Sequence, residues 1–151
     1  MFSRSSGYAV QALTYLAAQP SGKLVGAREM ATELEIPMPF LWKILRKLSE
    51  KKLVRSFKGV RGGYELARPA RIIRVSEVLA AGRDGDQMGL CVLGLDKCDD
   101  LDPCPLHSQW KSLRKRIESR FQVTTLADLV RDLKPVQAKR RRALATQRIS
   151  A

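Results

Sequence analysis

The strongest constraint on this 151-residue chain is local: two short amphipathic segments, broken by prolines, lead directly into a glycine-rich hairpin. The first segment runs from Gly26 to Leu34 and places Ala27, Met30, Ala31 and Leu34 on one face. Glu35-Ile36-Pro37 interrupts it, because proline drives the residue before it out of the helical region. The second segment covers about Pro39 to Lys51, and Pro39 suits a first helical turn. Phe40, Leu41, Ile44, Leu45 and Leu48 make its apolar face, and Lys43, Arg46, Lys47 and Lys51 the other. Two short helices joined by a tight turn, the second one basic, form a helix-turn-helix pattern. Residues 53–58 then alternate, Gly59-Val60-Arg61-Gly62-Gly63 supplies a turn, and residues 64–67 alternate again, which predicts a β-hairpin. A hairpin directly after a helix-turn-helix is a wing.

The flanking sequence is helical in pattern. Tyr8, Ala9, Ala12, Leu13 and Leu16 recur at helical spacing between Ser5 and Ala18, and Val75 to Ala81 reads as a further short helix. From Gly82 to Pro105 no period survives. A helix then begins near Pro105, where Leu106, Trp110, Leu113, Ile117 and Phe121 form one stripe. Thr125-Leu126-Ala127-Asp128 resembles a capped start to a last short helix. The expected fold is therefore mainly α, a winged helix-turn-helix with a small hairpin wing and a long C-terminal helix. It divides into a winged helix-turn-helix domain over 1–82, a cysteine-containing loop over 83–104, the long and last helices over 105–134, and a basic, mobile tail over 135–151.

The formal net charge is +13. Such an excess favours a polyanionic partner, with a solvated basic surface as the plainer reading. By position, Lys43, Arg46 and Lys47 reach base edges in a major groove, with Pro39 and Phe40 at the entry. Arg61 at the wing tip suits the negative potential of a minor groove. Lys51, Arg55, Lys58 and Arg68 are candidates for phosphate contacts. No apolar run is long enough to span a bilayer and the first residues lack signal-peptide features, so the sequence predicts a cytoplasmic protein that does not engage membranes. There is no closely spaced cysteine pair of the C-x-x-C kind and no Ser–His–Asp set, so no enzyme and no small-molecule substrate is expected. A basic RNA-binding protein is the alternative from a different class, although the few aromatics form no stacking platform.

All three cysteines, Cys91, Cys98 and Cys104, lie in the irregular loop, and the chain's one histidine, His107, follows three positions later. Cytosolic thiols stay reduced, which favours metal or redox chemistry over structural disulfides. Thiolates and imidazole suit both zinc and iron–sulfur clusters, and the spacing does not separate the two. Asp96, Asp99, Asp100 and Asp102 surround the cysteines and read as residues that keep the loop solvated, with an oxygen-ligand role as the alternative. His107 reads either as a ligand or as a helix-start residue facing solvent.

The segments Phe40-Leu41-Trp42-Lys43-Ile44-Leu45-Arg46-Lys47-Leu48, Leu53-Val54-Arg55-Ser56 and Lys58 to Arg68 together resemble the signature of the Rrf-type winged-helix regulators, the IscR/NsrR-like family. Gly7 to Leu13 fits that family's first helix and Thr125 to Val130 its last, so the resemblance covers about Ser3 to Leu133. It implies a homodimeric transcription regulator, a repressor, that binds a palindromic double-stranded DNA operator. It further implies that Cys91, Cys98 and Cys104 hold an iron–sulfur cluster that senses iron–sulfur, redox or nitric oxide status. His107 becomes the candidate fourth ligand. Trp110, Leu113, Ile117 and Phe121 become dimer-interface candidates. Six residues separate Cys91 from Cys98, one more than the common family gap, and Gly7 stands where some nitric-oxide sensors carry an acidic ligand. Within the resemblance this favours [2Fe-2S] over [4Fe-4S], with a zinc-bound or metal-free thiol regulator as the alternative.

Overall fold

The structure is a computed structural model that describes residues 3–82, 91, 93 and 98–133. Seven elements follow in order: α1 (Arg4–Ala17), α2 (Ala27–Leu34), α3 (Met38–Glu50), β1 (Val54–Phe57), β2 (Gly63–Leu66), α4 (Val75–Gly82) and α5 (His107–Val123). A final helical run covers 126–133. The expected mainly helical, winged helix-turn-helix architecture is the one observed. The tail over 135–151 and Asp96 lie outside the described residues, as does most of the loop between α4 and Cys98.

Local rules account for most element ends. Ser3 caps α1 by accepting from the Ser6 backbone N–H at 3.1 Å. α2 and α3 finish alike. Glu35 and Lys52 take left-handed conformations with φ near 54° and 55°. The next residue then donates back across the turn, Ile36 to the Ala31 carbonyl at 3.0 Å and Leu53 to the Leu48 carbonyl at 2.9 Å. A side chain with a Cβ is disfavoured there. Ile36 and Leu53, exposed by only 2% and 1%, offset that cost by entering the core.

The hairpin is antiparallel and pairs Val54 with Leu66 and Phe57 with Gly63. Gly59 turns it with φ 102°. Val25, just before α2, adds a bridge to β2: it donates to the Tyr64 carbonyl at 3.0 Å and accepts from the Tyr64 N–H at 2.8 Å. This approach requires glycine at 63, where a Cβ would lie 2.8 Å from the Val25 carbonyl oxygen.

The core is shared by α1, α2, α3, α4 and the hairpin base, with Ala9, Leu13, Met30, Leu41, Ile44, Leu45, Leu48 and Val78 buried. After α5 the chain returns to this domain. Arg74 pairs with Thr125, and Leu126, fully buried, donates to the Ile73 carbonyl at 3.0 Å. Thr125 and Asp128 then cap the last helical run reciprocally. The Asp128 N–H donates to the Thr125 hydroxyl at 3.2 Å, and the Thr125 N–H donates to the Asp128 carboxylate at 2.9 Å.

Candidate nucleic-acid interface and cysteine site

α3 buries Leu41, Ile44, Leu45 and Leu48, so its geometry turns Pro39, Trp42, Lys43, Arg46 and Glu50 outward together. Lys47 is half-buried beside them, and Lys51 is exposed just past the helix end. Phe40 is exposed and its ring sits 6.4 Å from that of Tyr8 on α1, tilted by 57°. Trp42 stands within the family signature but is not among the residues expected to contact DNA. At 56% exposure it stands on the same surface as the basic residues, a position that helical spacing from Pro39 and Arg46 already marked.

The basic candidates differ in how they are held. Arg61 and Lys58 are exposed on the wing and pair with no carboxylate among the described residues. Arg46 is linked to Glu50 at 3.1 Å and Arg55 to Glu65 at 2.8 Å, both pairs within reach of solvent. Such exposed pairs are weak, and a phosphate can displace the carboxylate. Arg68 differs. Its guanidinium donates to Glu77 of α4 at 2.7 Å, and its Nε is buried without a partner among the described residues. The structure thus places Arg68 as a tie between the wing and α4.

The second candidate site lies where the chain enters α5. Cys91 Sγ approaches Cys104 Sγ at 3.9 Å, and Cys98 Sγ approaches His107 Nδ1 at 3.5 Å. Cys91 and His107 are buried, and Cys98 and Cys104 are half-buried. His107 opens α5 and its N–H donates to the Cys104 carbonyl at 2.9 Å, which ties the last cysteine to the helix start. The four predicted donors therefore gather in two close pairs. Among the described residues, no three metal-binding side chains converge on one point. The donor set suits a thiophilic metal or an iron–sulfur group in kind, being three thiols and one imidazole.

His107 faces inward, so the solvent-facing reading of this residue does not hold. Its Nε2 lies 2.8 Å from Asp100 Oδ1, and Lys111 Nζ lies 2.7 Å from both oxygens of that carboxylate. The hydrogen bond from Lys111, followed by that from His107, holds the Asp100 carboxyl below the ordinary carboxylate range. The sequence reads Asp100 as a residue that keeps the loop solvated, with an oxygen-ligand role as the alternative, and does not single out Lys111. The available signal was the spacing of Lys111, four residues after His107 and hence on the same side of the helix.

Along α5, Leu113 is 47% exposed, while Trp110, Ile117 and Phe121 are half-buried. His107 is the only buried residue of the helix. No helix among the described residues is long and apolar enough to cross a membrane.

A helix-turn-helix, a glycine-turned wing and a basic outward face define a winged-helix DNA-binding regulator. The sequence pattern of the Rrf2 family, described as iron-dependent transcriptional regulators, matches residues 2–132. The chain belongs to that family. It is 36% identical over 132 residues to an HTH-type transcriptional regulator of Aquifex aeolicus, covering 86% of this chain and 91% of that one. It is 31% identical over 123 residues to the HTH-type transcriptional regulator IscR of Yersinia enterocolitica, covering 82% and 74%. The solved structure of T. potens IscR superposes with a TM-score of 0.70 at 28% identity, over 91% of this chain and 90% of that one. The family and these relatives are transcription regulators, in keeping with the absence of an enzymatic motif.

Proposed function

We propose that this chain is a homodimeric repressor whose affinity for a palindromic operator depends on a [2Fe-2S] cluster held by Cys91, Cys98, Cys104 and His107. The observation that carries the reading is the pairing of Cys91 with Cys104 at 3.9 Å and of Cys98 with His107 at 3.5 Å, with the Cys104 carbonyl accepting from the His107 N–H at the start of α5. The similarity to proteins named IscR supports an iron–sulfur group over zinc. A bound cluster would supply a redox-responsive cross-link between the loop and α5.

The chain's own residues do the rest. Pro39, Phe40, Lys43, Arg46 and Lys47 address a major groove, and Arg61 addresses the minor groove beside it. Lys51, Arg55 and Lys58 neutralise phosphates, which makes binding fall steeply with salt. Arg68 supports the wing from behind through Glu77. Trp110, Leu113, Ile117 and Phe121 form the stripe that a second copy of α5 covers, which sets the spacing of two recognition helices on a two-fold operator. Because His107 begins the same helix that carries this stripe, a change at the cysteines shifts the dimer and hence the reading heads, a coupling of two sites through one rigid element.

The test is iron, acid-labile sulfide and zinc content of protein purified without oxygen, combined with operator binding. Equal iron and sulfide, lost in Cys98→Ala together with the cluster-dependent part of DNA affinity, is the expected result. Zinc alone, or unchanged DNA binding after cluster loss, overturns it.

A further inference from the structure

We infer that Asp100, clamped by Lys111, is the positioning residue that orients His107 and leaves its Nδ1 bare toward Cys98. The inference concerns the same site as the proposed cluster and rests on that reading only for its purpose.

The argument starts from hydrogen-bond chemistry. An ionised carboxylate only accepts, so the imidazole nitrogen 2.8 Å from Asp100 carries the proton. A neutral imidazole protonated at Nε2 has its lone pair on Nδ1, and Nδ1 is the atom that lies 3.5 Å from the Cys98 sulfur. One contact on the far edge of the ring thus decides which nitrogen is offered to the thiols. An acceptor on the outer nitrogen of a ligating histidine is the usual way in which ring orientation and tautomer are set.

The carboxylate is itself held in place. Lys111 donates to both of its oxygens at 2.7 Å. Lys111 follows His107 by one helical turn of α5, so ring and clamp share one rigid scaffold. Asp99, the residue before it, accepts from the Leu101 N–H at 3.0 Å and turns the backbone beside Asp100. Asp100 and Lys111 are both exposed, and an ion pair in that setting contributes little to stability. Its consequence is geometric. Both carboxylate oxygens are engaged in these contacts, one of them at the Nε2 edge of the ring, opposite the nitrogen that faces Cys98.

The chain has one histidine, which makes a direct test simple. Protein labelled with 15N-histidine, stripped of metal and kept reduced at mildly alkaline pH, gives the proton-coupled nitrogen pattern of a single imidazole. The wild-type chain is expected to show the Nε2–H tautomer alone. Asp100→Ala is expected to lose that single pattern and give a mixture, with Lys111→Ala in between. Neither substitution touches the core, and a circular dichroism spectrum confirms the fold. A wild-type Nδ1–H tautomer, or a pattern unchanged in Asp100→Ala, overturns the inference.

A Co2+ titration of the same metal-free proteins separates this inference from the cluster reading. With His107 as a donor, Asp100→Ala weakens Co2+ binding by about 10-fold or more. If His107→Ala leaves the Co2+ affinity untouched, the ligand role of His107 fails, while the tautomer result still decides the role of Asp100.

Discussion

The winged-helix half holds Leu13, Leu41, Ile44, Leu45 and Leu48 at 1% exposure or less, whereas α5 buries no residue except His107 and leaves Leu113 at 47%. Both regions show apolar side chains at helical spacing, so periodicity alone treats them as equals. The difference lies in what stands opposite. α3 has α1, α2 and α4 around it, while α5 meets its own chain mainly at α4 and keeps much of its stripe in solvent. The first region closes within one chain, and the second carries the partly exposed stripe proposed above as a dimer interface.

Substitutions can break this contrast. Leu45→Ala should destabilise the fold by about 2–5 kcal/mol, the cost of a cavity in a packed core, as read by chemical denaturation. A loss under about 1 kcal/mol would show that the core adapts and that the contrast with α5 is overstated. Leu113→Asp should raise the dissociation constant of the proposed dimer at least tenfold, about 1.4 kcal/mol, in sedimentation experiments, while circular dichroism stays unchanged. An unchanged dissociation constant would remove the stripe from the interface.

Smaller effects sharpen the comparison at the seam between the two regions. Thr125→Ala removes half of the reciprocal cap and should cost about 1 kcal/mol, appearing first as faster amide exchange over 126–133. The weakest expected effect is a pH dependence at Glu77. Burial raises its pKa, but the hydrogen bonds from Arg68 and the Arg74 N–H, together with both guanidinium charges, outweigh it and leave the value lowered. A carboxyl that is more acidic when folded contributes stability above its unfolded pKa and loses it as pH falls through the folded one. Glu77→Gln should therefore flatten the acid-side decline by under about 1 kcal/mol after solvent screening. A decline just as steep in the variant would show that other groups cause it.

Much of the fold was legible because its signals are local. Pro37 and Pro39 bracket the turn into α3, Gly59 turns the wing, and Thr125 to Asp128 spells the last cap. The helices expected at Ser5–Ala18, Gly26–Leu34 and Pro39–Lys51 lie within a residue or so of those observed. The site was legible in residue type but not in arrangement. Three cysteines and a histidine announced soft-donor chemistry, yet their association as two pairs depends on tertiary placement at the start of α5.

The sequence by itself determined the helix-turn-helix, the wing and the basic recognition face, because each depends on contacts a few residues apart. Tertiary structure alone decided that Val25 joins the wing sheet, that Arg68 pairs with Glu77 of α4, and that Asp100 meets both Lys111 and the outer edge of a buried His107. These are pairings of polar groups whose partners are chosen by the geometry of packing; helical spacing puts Lys111 beside His107 but does not bring Asp100 to them.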